Sequence, residues 1–300
     1  MEKKIYIVRC GEVALKGMNK PYFERVLIER VRKALKVFED TEVKWIDGLM
    51  IARVPASVPE DEVVDKCVRV FGVASVSPAT KTSKDIDEIG RVAANIMSAL
   101  VEEEGIKTFK VKGKRADKSF EIKSPDIGRI IGESILKACS NLSVDLHNPD
   151  CTLVVDVRRE GTYIFRRKVR AVGGLPLGTN GKGLVLMSGG IDSPVAAFMM
   201  AKRGMTIEAV HYHSYPYTSQ RAQKKVEEIV KVLAGYMGTI RMHVINMLPI
   251  QEQIVQNCPE DETTLLVRRF MMRIAEAIAA KNGDMMLITG ENLGQVASQT

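Results

Sequence analysis

From Lys4 to Arg9 apolar and polar residues alternate, the period of a strand with one buried face. Past a polar turn, Asn19 and Pro21 mark a helix start, and Phe23, Leu27, Val31, Leu35 and Phe38 then recur on one helical face. Val43 to Ile46 and Leu49 to Val54 read as strands joined through Asp47-Gly48, a pair suited to a two-residue hairpin. Glu60 to Phe71 carries a helical pattern, and Val73 to Ser77 a strand. The resulting order, β-α-β-β-α-β, is that of a ferredoxin-like α+β domain, expected to span residues 1–78.

A second α/β unit, expected over 79–172, opens with a helical pattern from Ile86 to Glu104 that Gly105 ends. The strand-like Thr108 to Lys112 and a basic loop follow. Ser124-Pro125-Asp126 resembles a capped helix start leading to Ile127, Ile130, Ile131, Ile135 and Leu136. Two strands around Glu160-Gly161 close the unit, and Gly173-Gly174 and Gly178 to Gly183 make a turn-rich linker. From Leu184 strands and helices alternate: Leu184 to Met187, Pro194 to Arg203, Ile207 to Tyr212, Arg221 to Tyr236, Arg241 to Asn246, Leu265 to Lys281 and Met285 to Thr289. Such alternation implies a doubly wound parallel sheet over 173–300. Because the chain stops after a polar, glycine-containing loop, this last domain is expected to be cut short.

Composition narrows the class. With 300 residues, 45% hydrophobic and 27% charged, the chain can bury substantial cores. An excess of 44 Lys and Arg over 37 Asp and Glu gives +7, which favours a polyanionic partner. No apolar run approaches the roughly 20 residues of a membrane helix, and the start lacks a signal peptide's features. A cytoplasmic protein without membrane contact is therefore expected. Cys10, Cys67, Cys139, Cys151 and Cys258 are scattered and form no Cys-x-x-Cys pair, so they read as core residues.

The chemistry concentrates in Leu186-Met187-Ser188-Gly189-Gly190-Ile191-Asp192-Ser193-Pro194, between an apolar strand and an apolar helix. Gly189 and Gly190 allow a tight turn and close ligand approach. Ser188, Ser193 and the helix's free N–H groups offer donors to a phosphate at a dipole-positive end. Asp192, a carboxylate among phosphates, belongs there if it orients Mg2+ or a donor. A Walker A motif is not met, since Gly181-Lys182 is followed by Gly183 and Pro176 stands where its first glycine would be. His211-x-His213 lacks a third ligand, and no metal centre is expected from it.

Ser-Gly-Gly-x-Asp-Ser is the motif of the PP-loop ATP pyrophosphatase families, which cleave ATP between its α and β phosphates. Together with Gly11-Glu12-Val13-Ala14-Leu15-Lys16-Gly17 and Thr289-Gly290-Glu291-Asn292-Leu293-Gly294-Gln295-Val296-Ala297-Ser298-Gln299-Thr300, it closely resembles the ThiI family of tRNA 4-thiouridine synthetases, also linked to thiamine biosynthesis. The resemblance covers essentially the whole chain and implies ferredoxin-like, THUMP and PP-loop domains. It implies ATP contacts at Leu186, Met187, His211, Tyr212, Arg268, Gly290 and Gln299. Arg268 rather than Arg269 is chosen by the family spacing. The implied reaction has two stages. A uridine O4, expected at position 8 of tRNA, attacks the α-phosphate and releases pyrophosphate; a persulfide sulfur from a cysteine desulfurase or other donor then displaces AMP. By the same resemblance the sulfur-accepting cysteine lies beyond residue 300.

Lys110, Lys112, Lys114, Arg115 and Lys118, with Arg158, Arg166 and Arg167, form basic clusters suited to phosphate contacts. Their co-location in the THUMP-like unit points to tRNA binding by shape, and the resemblance suggests a homodimer. The rivals are another PP-loop tRNA-modifying enzyme, a small-molecule amidating synthetase, and an RNA-binding protein whose nucleotide site is vestigial.

Overall fold

The structure is a computed structural model that describes residues 2–291. Two compact units divide the chain. The first gathers the residues up to Arg9, Val31–Val68 and Ala74–Ala171; the second takes Cys10–Arg30, Arg69–Val73 and the residues from Val172 onward.

In chain order the elements are β1 (Lys3–Cys10), α1 (Lys20–Leu35), β2 (Glu42–Ile46), β3 (Leu49–Pro55), α2 (Glu60–Val68), β4 (Val73–Thr82) and α3 (Ile86–Glu104). Next come β5 (Thr108–Arg115), α4 (Ser124–Ala138), β6 (Ser143–Val144), β7 (Cys151–Arg158), β8 (Gly161–Phe165) and β9 (Val169–Arg170). These strands form one nine-stranded sheet in the order β2-β3-β1-β4-β8-β7-β5-β6, with β9 also on β4. Its first four strands have the ferredoxin-like order expected from the pattern. The strand expected to stop at Ser77 runs on to Thr82, where Thr80, Lys81 and Thr82 pair with Ile164, Tyr163 and Thr162.

Two further differences have local causes. The apolar stripe of α1 extends in sequence to Phe38, but the helix ends at Leu35. The Phe38 N–H bonds the Leu35 carbonyl at 3.0 Å in a tighter turn, and Val37 is left exposed. The basic segment after Lys112 is strand rather than loop: Gly113, Lys114 and Arg115 pair in parallel with Val155, Asp156 and Val157. Gly113 takes an inward position, where a Cβ would stand 2.3 Å from the Ser124 carbonyl oxygen. Helix α3 matches its expected span, with the Asp85 carboxylate accepting from the Glu88 N–H at 2.8 Å and Gly105 closing it at φ 65°. Its buried face, Ile89, Met97 and Leu100, packs with Phe109, Ile127, Ile131 and Ile135; each such side chain contributes on the order of 2 kcal/mol by burial.

The second unit carries β10 (Lys182–Leu186), α5 (Asp192–Lys202), β11 (Thr206–His213), α6 (Gln220–Met237), β12 (Met242–Asn246), α7 (Leu248–Asn257), α8 (Thr263–Asn282) and β13 (Met286–Ile288). Its four strands are parallel, in the order β12-β11-β10-β13. One face buries Val185, Ile207 and Ala209 against Ala197, Ala201, Val226 and Leu233. On the other, Leu184 and Val210 meet Ala275 and Ala279, whose small side chains let α8 lie close.

At the amino ends of these strands sits a charged network. Glu208 receives Lys182 at 2.6 Å and His243 at 3.0 Å. The fully buried Asp284 carboxylate lies 3.7 Å from Lys182, and neither of its oxygens has a hydrogen-bond partner. Burial raises the Asp284 carboxyl above its usual range, against the pull of Lys182. The Glu208 carboxyl, despite burial, is held below its range by hydrogen bonds from Lys182 and His243. The folded state thus binds the Asp284 proton more tightly than the unfolded chain does. That contribution is complete below the unfolded carboxyl pKa and is lost as pH rises through the raised one. Asp284→Asn should therefore unfold about 1 kcal/mol later than wild type at neutral pH and equally at low pH, as read by denaturant midpoints across pH.

Candidate nucleotide site and nucleic-acid interface

The residues joining β10 to α5 separate the roles of two serines that the motif presents alike. Ser193 is buried at 2% exposure; its Oγ accepts from the Ser188 N–H at 3.0 Å and lies 3.2 Å from the Ser188 Oγ. Ser188 is exposed, and its own Oγ accepts from the Gly190 N–H at 3.3 Å. Ser193 therefore fastens the loop, while Ser188 stands where a ligand could meet it. Asp192 opens α5 and is exposed. The first-turn N–H groups have no intrahelical acceptor, and Pro194 removes one of them without cost. Among the described residues no group of three or more His, Cys, Asp or Glu could hold a metal ion.

The segment after β13 presses against the same helix start. A Cβ on Gly290 would stand 2.4 Å from the Ser193 nitrogen and 2.7 Å from the Asp192 carbonyl carbon. Since β13 pairs with β10 on the side away from β11, the two loops meet where the winding of the sheet reverses, the usual ligand crevice of such sheets. Arg268 of α8 is ion-paired with Glu291, next to Gly290, which brings it to this side of the unit. Lys225 of α6 was not singled out from the sequence, yet its stem lies 3.7 Å from where a Cβ on Gly189 would be. Nothing in its amphipathic helix distinguishes it from a solvated lysine.

On the other side of the loop, the Met187 N–H bonds the Val210 carbonyl at 2.8 Å, and the buried His211 places Nδ1 3.0 Å from the Met187 carbonyl oxygen. Leu186, half-buried, ends β10 beside Val210. The Tyr212 hydroxyl donates to the Met271 carbonyl at 2.6 Å, and burial pushes it up to about 12. Its hydroxyl is thus taken by α8. A cavity of about 280 Å3 opens at the end of β11, lined by His211, Tyr212, His213, Thr218, Ser219 and Gln223 among others. Gln299 lies outside the described residues.

In the first unit, the basic residues sort into two groups. Arg158 bonds Asp156 at 3.1 Å and the Asp47 carbonyl at 2.7 Å; Arg166 forks onto both carboxylate oxygens of Glu104; Arg167 meets Glu60 at 3.1 Å and Asp61 at 3.3 Å. Arg115 donates to the Phe120 carbonyl and Lys110 to that of Leu146. Lys112 and Lys114, by contrast, alternate outward along β5 as exposed residues, as does Lys118 beyond its end. Partial burial, then the cations of Arg9, Lys112 and Lys168, hold the Lys114 ammonium below its usual range against the opposing Asp156. Lys114 thus has the cations of Arg9, Lys112 and Lys168 as neighbours, an arrangement suited to an anion.

Residues 5–77 match the ThiI ferredoxin-like domain, 83–166 the THUMP domain, and 178–300 the family described as thiamine biosynthesis protein (ThiI). A probable tRNA sulfurtransferase of Alkaliphilus metalliredigens (strain QYMF) is 47% identical over 301 residues, covering 99% of this chain and 76% of that protein. One from Thermoanaerobacter sp. (strain X514) is 47% identical over 296 residues with the same coverage. Among solved structures, a 4-thiouridine synthetase in complex with RNA and bound ATP matches at TM-score 0.89 and 38% identity, covering 100% of this chain and 76% of that one. PH1313 from Pyrococcus horikoshii Ot3 matches at TM-score 0.70 and 26% identity, over 84% and 83% of the two chains. No helix among the described residues is long and apolar enough to cross a membrane.

Proposed function

The chain belongs to the ThiI family of tRNA sulfurtransferases, and from that premise we propose how its residues serve 4-thiouridine synthesis on tRNA with ATP. The observation that carries the reading is the apposition of the Ser188-to-Ser193 loop and Gly290 at the crevice where the sheet reverses. ATP lays its phosphates on the Ser188, Gly189 and Gly190 loop and the first turn of α5, with Arg268 and Lys225 supplying positive charge. Leu186, Met187, His211 and Tyr212 flank the base, and Gly290 closes the crevice; Gln299 is a further ATP contact by the family resemblance alone. Ser193 acts through the loop it fastens.

Uridine O4, at position 8 of tRNA, attacks the α-phosphorus; the P–O bond to the β-phosphate breaks and pyrophosphate leaves. Donors of the loop and helix N-terminus stabilise the charge that builds on the phosphoryl oxygens. The terminal sulfur of a carrier persulfide, charged by a cysteine desulfurase or other donor, then attacks C4 and AMP departs. This leaves the base joined to the carrier by a disulfide, whose S–S bond a second thiol cleaves to release 4-thiouridine. Asp192 suits Mg2+, which characteristically takes one or two carboxylates together with phosphate oxygens; the ion would supply charge neutralisation. Residues 1–78 and 79–172 hold tRNA, with Lys112, Lys114 and Lys118 in first contact, and residues 173–300 hold ATP. A cytoplasmic homodimer and a second role in thiamine synthesis complete the proposal.

The test is tRNA-dependent release of pyrophosphate from ATP and Mg2+. Wild type should release it only with tRNA, and Asp192→Ala should lower the rate on the order of 100-fold or more. Formation of ADP and phosphate, or release indifferent to tRNA, would return the chain to the rival readings.

A further inference from the structure

Helix α5 is apolar from Pro194 to Ala201, so it needs cover on more than its sheet side. Ala197 and Ala201 take the sheet side, buried in one cluster with Val185 and Ile207. Phe198 leaves from another side of the helix and meets Phe71, which lies three residues past α2 and two before β4. The segment Arg69–Val73 belongs to the same compact unit as α5. Phe71 is 1% exposed, and its ring centroid stands 5.1 Å from that of Phe198 at 64°. Phe198 in turn lies 5.3 Å from Tyr236 of α6 at 84°. These are the edge-to-face pairings that aromatic quadrupoles favour. The Arg69 guanidinium, 5.7 Å from the Tyr236 centroid, adds a cation to the cluster.

Main-chain bonds hold the Phe71 turn in place. The Gly72 N–H donates to the Gly173 carbonyl and the Gly173 N–H to that of Val73, both at 2.8 Å. At the far end of α5, Arg203 pairs with Glu12 at 2.7 Å, but both side chains are about half exposed, and solvent screening leaves such a pair little to fasten. The buried ring, not the ion pair, therefore fixes this side of α5. Phe198 stands six residues, roughly 9 Å, from Asp192 on a stiff helix, so a shift of the ring carries the helix start with it. We infer that Phe71 is a positioning residue for uridine activation. It acts through Phe198 and α5 on the Ser188-to-Ser193 loop, and being buried it touches neither ATP nor uridine. The turn from α2 to β4, which the sequence places among the RNA-holding elements, thus supports the phosphate loop, an inference that rests on ATP binding there.

Phe71→Leu keeps most of the bulk and loses the ring, whereas Phe71→Ala loses both. Ile278→Ala, in the cluster on the opposite face of the sheet, controls for a general loss of stability. Pyrophosphate release with tRNA, ATP binding by calorimetry and tRNA binding on filters would be measured well below each variant's unfolding midpoint. Phe71→Leu should lower kcat roughly 10-fold and Phe71→Ala roughly 100-fold. The Kd and KM for tRNA should stay within about 2-fold of wild type. Phe198→Leu should also lower kcat, and its loss combined with that of Phe71→Leu should fall short of the product of the two. Ile278→Ala should keep the wild-type kcat. Wild-type kcat in Phe71→Leu, an equal loss in Ile278→Ala at the same fall in midpoint, or losses at Phe71 and Phe198 that simply multiply would overturn the assignment. ATP binding weakened by Phe71→Leu but not by Ile278→Ala, in a protein that releases no pyrophosphate, would leave Phe71 seating the loop and remove the proposed reaction instead.

Discussion

Gly290→Ala should cut tRNA-dependent pyrophosphate release on the order of 100-fold to 1,000-fold and weaken ATP binding, while the protein remains folded. The added Cβ would meet the Ser193 nitrogen at 2.4 Å and the Asp192 carbonyl carbon at 2.7 Å. Both are main-chain atoms at a helix start and cannot swing aside as a side-chain tip can. Either the segment after β13 retreats, or the first turn of α5 shifts and takes with it the Ser193 clamp on Ser188. Overpacking of this kind typically costs about 1–3 kcal/mol of stability, small beside the loss expected in rate. Gly283→Ala is the control. Gly283 ends α8 at φ 72° with nothing within 4 Å of where a Cβ would stand, so it should lose about 1 kcal/mol of stability and no activity. Wild-type kcat and KM in Gly290→Ala would refute the idea that the two loops form one site.

The second large effect concerns RNA. Lys112→Ala with Lys114→Ala should weaken tRNA binding by roughly 10-fold to 100-fold at low salt and flatten the slope of log affinity against log salt by about 2. Both lysines are exposed, and Lys114 has the cations of Arg9, Lys112 and Lys168 as neighbours. Arg166→Ala and Arg167→Ala should change the slope much less, because Glu104 for one, and Glu60 and Asp61 for the other, already neutralise them. Filter-binding titrations across a salt series decide it. Equal slopes for the lysine and arginine variants would mean that RNA displaces those carboxylates.

That division among basic residues was invisible in the sequence, where Arg158, Arg166 and Arg167 count as positive charge like any other. Their acidic partners Asp156, Glu104, Glu60 and Asp61 lie 2 to 107 residues away, and most such pairings are set by sheet topology rather than by spacing. The phosphate loop was legible because its chemistry is local: glycines, hydroxyls and a helix start are contiguous. The burial of Ser193 and exposure of Ser188 were not, since they depend on how α5 seats against the sheet. The strand β5 was read short because Gly113 fills an inward position without supplying an apolar signal. The α/β alternation from Leu184 onward survived well because each strand and helix carries its own period. Gly290 was identified by resemblance alone, and its physical reason, contact with main-chain atoms 97 and 98 residues earlier, exists only in three dimensions.

Strand β4 bears on the protein's ancestry. It pairs with β1 and, at Ser75 and Val76, with β9, whereas Thr80 to Thr82 pair with β8. The matched ferredoxin-like and THUMP segments end at 77 and begin at 83, so five residues that complete this shared strand lie in neither. A lineage that inherited either segment alone would carry a raw sheet edge, prone to aberrant pairing with other chains. Modules that read as separable along the chain would thus have to be inherited, shuffled or lost together.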